Sequence, residues 1–209
     1  MTVMTSPTAR TLLFIGDSIT DAGRREDPEE LGHGYVRLLA EHFAAHEPTA
    51  TVINRGIGGD KVADLEARFG PDCLDLTPDL VTIYVGVNDS WHRFTRGEHV
   101  TEESFEQGYR HLLDQLAASV PEAPVLMIIP FVADIDEERA RIHSDLDGKV
   151  AIIRRLAQEH GHRIVDLEQV LATALAAGHT AQSVAEDGVH PTPPGHRLIA
   201  DAWLETAGR

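Results

Sequence analysis

Two short segments at opposite ends of this 209-residue chain carry side chains that could share one proton: Gly16-Asp17-Ser18-Ile19-Thr20 and Asp187-Gly188-Val189-His190-Pro191. A serine hydroxyl is a weak nucleophile until a base takes its proton. An imidazole serves best when a carboxylate fixes its tautomer and steadies the imidazolium. Asp187 and His190, three residues apart on a bend, can reach one another directly, so no separate acid-bearing strand is required. Two further segments offer hydrogen-bond donors. Asn54-Arg55-Gly56-Ile57-Gly58-Gly59-Asp60 presents backbone N–H groups, that of Gly59 first among them, in a loop whose glycines permit positive φ. Gly86-Val87-Asn88-Asp89 presents the Asn88 amide. A nucleophile, a base with its acid, and two donors for a developing oxyanion would together transfer an acyl group.

Each segment alone has a plainer reading. Most serines in such a turn cap a helix, and asparagine serves turns as readily as it donates. His33, His92 and the His160/His162 pair are competing imidazoles among the twelve, but none has a carboxylate so close in a loop after the sheet. The glycine loop could hold phosphate, yet Gly56-x-Gly58 followed by Gly59-Asp60-Lys61 matches neither the dinucleotide fingerprint nor a Walker loop, and Asp60 would repel the anion.

What joins the four segments is the framework that must position them. Short apolar runs at residues 11–15, 50–54, 80–85, 125–129 and 163–165 alternate with longer stretches of helical spacing. Tyr35, Leu38, Leu39 and Phe43 form one such stretch, Phe105, Tyr109, Leu112 and Leu116 another, and Leu146, Val150, Ile153 and Ala157 a third. The last helix has Thr192 as its N-cap and Pro193 as its first residue. This alternation predicts the α/β class: three layers, α/β/α, around a five-stranded parallel sheet, and the order taken for it is the flavodoxin-like 2-1-3-4-5. In that order strands one, two and three are neighbours. Ser18, Gly59 and Asn88 then converge at their carboxyl ends, where open sheets bind ligands.

Two connections, 90–100 and 131–145, look longer than the fold requires and are expected to be lids or binding walls. Trp91, in the first, suits a pocket wall, since an indole face fits both a sugar ring and an acetyl methyl; packing of the lid is the alternative. Asp17 and Tyr35 are grouped with it as substrate contacts, although Tyr35, like Trp203, also suits the core.

Residues 1–209 read as one domain, with 1–10 a flexible N-terminal extension. The formal charge of −16 argues against nucleic acid or an anionic membrane surface as partner. The first residues lack the pattern of a secretory signal, and the single cysteine, Cys73, flanked by Asp72 and Asp75, suits a reducing cytoplasm and a structural role. Nothing in the sequence decides between a monomer and a homo-oligomer.

The four segments, in this order, resemble the four blocks of the SGNH hydrolases, also called the GDSL esterases, over nearly the whole chain. The resemblance implies that Ser18 is the nucleophile, with Asp187 and His190 its acid and base. It also implies an oxyanion hole formed by the N–H groups of Ser18 and Gly59 with the Asn88 amide. Two positions depart from the common pattern: Ile19 replaces the leucine of the first block, and Gly58 a frequent serine of the second. Neither removes a reacting group. Gly16-Asp-Ser-Ile-Thr-Asp-Ala-Gly-Arg24, Gly32-His-Gly-Tyr-Val36, Asn54-Arg-Gly-Ile57 and Gly86-Val-Asn-Asp-Ser-Trp91 are similar to intracellular acetylxylan esterases of this superfamily. That branch implies a small-molecule partner, an acetylated xylo-oligosaccharide or related ester, and no cofactor or metal. Other branches take lipid or thioester substrates. Two classes outside the resemblance are a metal-dependent phosphoesterase using Asp17, Asn88, Asp89 and His190, and a non-catalytic carbohydrate-binding protein.

Overall fold

The computed structural model describes residues 10–209; the expected N-terminal extension lies, all but its last residue, outside them. Strands β1 (Thr11–Gly16), β2 (Thr51–Gly56), β3 (Leu80–Tyr84), β4 (Val125–Ile129) and β5 (Arg163–Asp166) form one parallel sheet. Their order, β2-β1-β3-β4-β5, is the expected flavodoxin-like one. Every residue of β3 and β4 is buried, and all but the first of β1, which is why these strands read as unbroken apolar runs rather than alternating ones. The edge strands β2 and β5 keep partly exposed positions.

The helices are α1 (Ser18–Asp21), α2 (Tyr35–His46), α3 (Val62–Asp72), α4 (Val87–Arg96), α5 (Glu102–Ser119), α6 (Glu137–Ala140), α7 (His143–His160), α8 (Leu167–Ala176), α9 (Ala181–Val184) and α10 (Pro193–Ala207). α10 packs against α2 and α8 on one face of the sheet, while α5 packs against α3 and α7 on the other. The expected signals start α10: the Thr192 hydroxyl accepts the Gly195 N–H, and Pro193 follows it. Its Trp203 is wholly buried, packs against Phe14 and Phe43, and donates its indole N–H to Thr82 Oγ1 of β3 at 2.9 Å. Among the described residues no helix is long and apolar enough to cross a membrane. Cys73 is wholly buried, and burial, with the charge of Asp72, pushes its thiol up to about 12, so it is inert.

Register brings the strand ends together. Gly16 pairs with Gly56 on one side and Tyr84 on the other. A Cβ on Gly16 would fall 2.1 Å from the Tyr84 carbonyl oxygen, and one on Gly56 2.1 Å from the Asp21 nitrogen. Only glycine lets the turns after β1, β2 and β3 close on one another this tightly.

The two long connections differ from expectation. Most of 90–100 is helical: α4 runs from Val87 to Arg96. Its buried face is built from Asn88, Asp89, Ser90 and His92 beside Val87, so no apolar stripe marks it as a helix. The 131–145 connection contains α6, capped by the Asp136 carboxylate on the Arg139 N–H, and the first residues of α7.

Candidate active site

Ser18 is the first residue of α1, directly beyond the end of β1. Asp17 caps that helix, its Oδ1 accepting the Ile19 N–H at 3.0 Å. The Ser18 hydroxyl lies 2.9 Å from His190 Nε2, a contact across 172 residues of chain. His190 Nδ1 lies 2.7 Å from Asp187 Oδ2. The other Asp187 oxygen accepts the backbone N–H groups of Val189 at 2.9 Å and His190 at 2.7 Å, winding the four residues into a tight turn. Gly188 takes φ +82 within it. Burial alone would raise the Asp187 carboxyl, but hydrogen bonds from the His190 ring and these two N–H groups hold it below the usual carboxylate range. Asp187 therefore stays ionised and keeps Nδ1 as the protonated nitrogen, leaving Nε2 to accept from the serine.

The loop after β2 is stapled from beneath. Asn54 donates to the carbonyls of Thr20 at 2.7 Å and Leu31 at 2.9 Å while its oxygen accepts the Gly56 N–H at 2.8 Å. The Ile57 N–H goes to Gly16 O, the Gly58 N–H to Asp21 Oδ2 and the Asp60 N–H to Ile57 O. Gly59 is the exception: its N–H donates to no group among the described residues. Its φ of +90 turns that peptide outward, and a Cβ there would meet nothing within 4 Å. Asn88 sits in the first turn of α4 and is nearly buried. One of its two amide hydrogens goes to the Asp60 carbonyl at 3.0 Å, which aims the amide and leaves the second hydrogen unengaged among the described residues.

Trp91, one turn further along α4, places its ring edge-on to that of His190, with centroids 5.5 Å apart. It therefore stands beside the imidazole. The other two expected substrate contacts do not. Asp17 is wholly buried, because the backbone that turns Ser18 outward turns its neighbour under α1. Tyr35 is also wholly buried, its hydroxyl 3.0 Å from Thr20 Oγ1 and its ring against Phe14 and Tyr84. The ion-binding alternative needs Asp17, Asn88, Asp89 and His190 to face one point. Instead Asp17 caps α1, Asp89 receives the Val62 N–H at the start of α3, and both His190 nitrogens are engaged.

Two supporting side chains carry no signal in the sequence. Arg68 of α3 donates to the carbonyls of Gly16 and Arg55 and to the Asp60 carboxylate, tying the ends of β1 and β2 to the glycine loop. Arg139 of α6 donates through Nε to the Asp187 carbonyl at 2.7 Å. Both partnerships join residues distant in sequence, which periodicity and local motifs cannot show.

A parallel sheet of this order, with these turns at the ends of β1, β2 and β3, is the SGNH hydrolase fold. The chain belongs to the GDSL-like lipase/acylhydrolase family, whose model matches residues 14–198, and it is a carboxylic ester hydrolase. It is 32% identical over 208 residues to the acetylxylan esterase of Geobacillus stearothermophilus, covering 94% of this chain and 93% of that one. The crystal structure of that organism's acetylxylan esterase Axe2 superposes with a TM-score of 0.84 at 30% identity, covering 99% of this chain and 97% of the other. Solved variants of Axe2 with a serine, a histidine, or an aspartate three positions before that histidine replaced are described as catalytic mutants. LAE5, an alpha/beta hydrolase from the metagenome of Lake Arreo in Spain, superposes with a TM-score of 0.85 at 32% identity, with 97% of each chain covered.

Proposed function

We propose that this enzyme removes acetyl groups from short carbohydrate esters, acetylated xylo-oligosaccharides foremost, through an acyl-enzyme on Ser18. The observation that carries the mechanism is the unbroken chain Ser18 Oγ, His190 Nε2, His190 Nδ1, Asp187 Oδ2, with links of 2.9 and 2.7 Å. The substrate class rests on similarity to acetylxylan esterases along almost the full length of both chains.

In this reading His190 takes the Ser18 proton as the serine oxygen attacks the ester carbonyl. Asp187 stabilises the imidazolium without accepting the proton. Negative charge on the former carbonyl oxygen is received by the N–H groups of Ser18 and Gly59 and the second amide hydrogen of Asn88. Collapse of the tetrahedral species expels the sugar alkoxide, which leaves with the proton from His190. Water then enters, gives its proton to His190 and attacks the acetyl-serine; acetate departs and Ser18 regains its proton. Trp91 lines the space beside His190 that acyl and sugar groups must enter. Nothing in the sequence of steps requires a metal or an organic cofactor.

Residues 10–209 act as one domain in this reading, and the cytoplasm is its compartment, where an isolated reduced cysteine is ordinary. The test compares acetylated xylo-oligosaccharides, short aryl esters and long-chain esters as substrates. The acetylated oligosaccharide and the aryl acetate should be turned over well; preference for long acyl chains would overturn the carbohydrate assignment. Hydrolysis surviving in Ser18→Ala would overturn the mechanism.

A further inference from the structure

The 131–145 connection braces the turn that carries Asp187 and His190. Ala133 donates its N–H to the Gly188 carbonyl at 2.7 Å. Arg139 donates Nε–H to the Asp187 carbonyl at 2.7 Å. The fit is close: a Cβ on Gly188 would come 2.8 Å from the Ala133 oxygen and 3.0 Å from Arg139 Cγ. The Arg139 guanidinium also lies over the Trp91 ring, 5.7 Å from its centroid, and Trp91 in turn abuts His190.

The imidazole is fixed in its own plane by Ser18 on one nitrogen and Asp187 on the other. Those two bonds do not stop the turn from rocking as a unit, nor the ring from tilting out of line. Arg139 opposes both movements. Its Nε bond grips the turn through the backbone of the acid itself, and its planar head holds Trp91 against the ring. A guanidinium can donate in its plane and stack on an aromatic face at once, which an ammonium cannot. We propose that Arg139 is a positioning residue for His190, acting through the Asp187 carbonyl and Trp91 rather than by touching substrate. This rests on the reading of Ser18, His190 and Asp187 as the reacting set.

The experiment uses Arg139→Ala and Arg139→Met, the second keeping an apolar stem against Gly188 if the first folds poorly. With an aryl acetate too small to reach α6, kcat should fall on the order of 10- to 100-fold, because a misplacement of about 1 Å costs that much. KM should change by a smaller factor than kcat, since a small aryl acetate takes little of its binding from the Trp91 ring. Two readouts separate positioning from structural support. The far-downfield proton resonance of the His190 Nδ1–H···Asp187 bond should broaden or vanish in both variants while the thermal midpoint stays close to that of the parent. Ethylguanidinium in the medium should restore part of the lost kcat in Arg139→Ala. Parental kcat in Arg139→Met overturns the proposal, as does a loss of kcat with the resonance intact and no rescue. Ser18→Ala run alongside keeps the two claims apart: an active Ser18→Ala defeats the underlying mechanism, whereas an inactive one beside a fully active Arg139→Met defeats only the role of Arg139.

Discussion

Replacing Asp17 by asparagine should change how stability responds to pH far more than it changes stability in acid. The carboxyl is wholly buried beneath α1; Oδ1 accepts the Ile19 N–H, and Oδ2 meets no donor among the described residues. Burial first, then the charges of Asp89 and Asp60, push it up from 3.8 to about 7. Below 3.8 the group is protonated both in the fold and in the unfolded chain. Between 3.8 and about 7 the unfolded chain releases the proton and the fold retains it, so stability falls as pH rises, and the loss levels off above about 7. At 1.36 kcal/mol per pKa unit, the interval amounts to roughly 4 kcal/mol. For a chain of this size that corresponds to about 8–16 °C in Tm. Asparagine keeps the acceptor for Ile19, cannot ionise, and supplies an amide N–H where the unpartnered oxygen stood. Unfolding of both proteins by denaturant across this range should give curves that nearly coincide at about pH 4 and diverge by roughly 4 kcal/mol by about pH 8, with the variant the more stable. Asp89, pushed up to about 7 chiefly by its own burial, continues to titrate in both proteins, so neither curve is flat. Parallel curves would refute the reasoning, because they would mean that Asp17 ionises freely in the fold.

Further outcomes follow from the site. Asn88→Ala should remain folded and lose about 10²–10³ in kcat on an aryl acetate, the usual cost of one oxyanion donor; parental turnover would remove Asn88 from the mechanism. Asp187→Asn should lose about 10⁴ in kcat, because its amide can present a hydrogen to Nδ1 and so favour the wrong tautomer. A loss below tenfold, measured with circular dichroism to confirm the fold, would show that the turn alone orients His190.

The strands were legible because burial on both faces leaves little but apolar residues in β1, β3 and β4. Their parallel pairing followed from helices alternating with them. α4 was not legible, since it turns asparagine, aspartate, serine and histidine inward and its periodicity is hidden in polar residues. That inversion is local to the site: Asp89 braces α3 and Asn88 the glycine loop. Asp17, expected among the substrate contacts, lies buried under α1 because consecutive residues at a sharp turn face opposite ways. Arg139 lies 48 residues from the carbonyl it holds, and no spacing rule reaches that far.

The acid and base lie on one turn near the end of the chain, while the hydroxyl they activate lies 172 residues earlier. Ser18, Gly59 and Asn88 stand beyond β1, β2 and β3 and all precede that turn in the sequence, so on the proposed mechanism the group that takes the proton is the last of the set to be translated. On that mechanism Ser18 has no base until the turn has docked against it across 172 residues of chain.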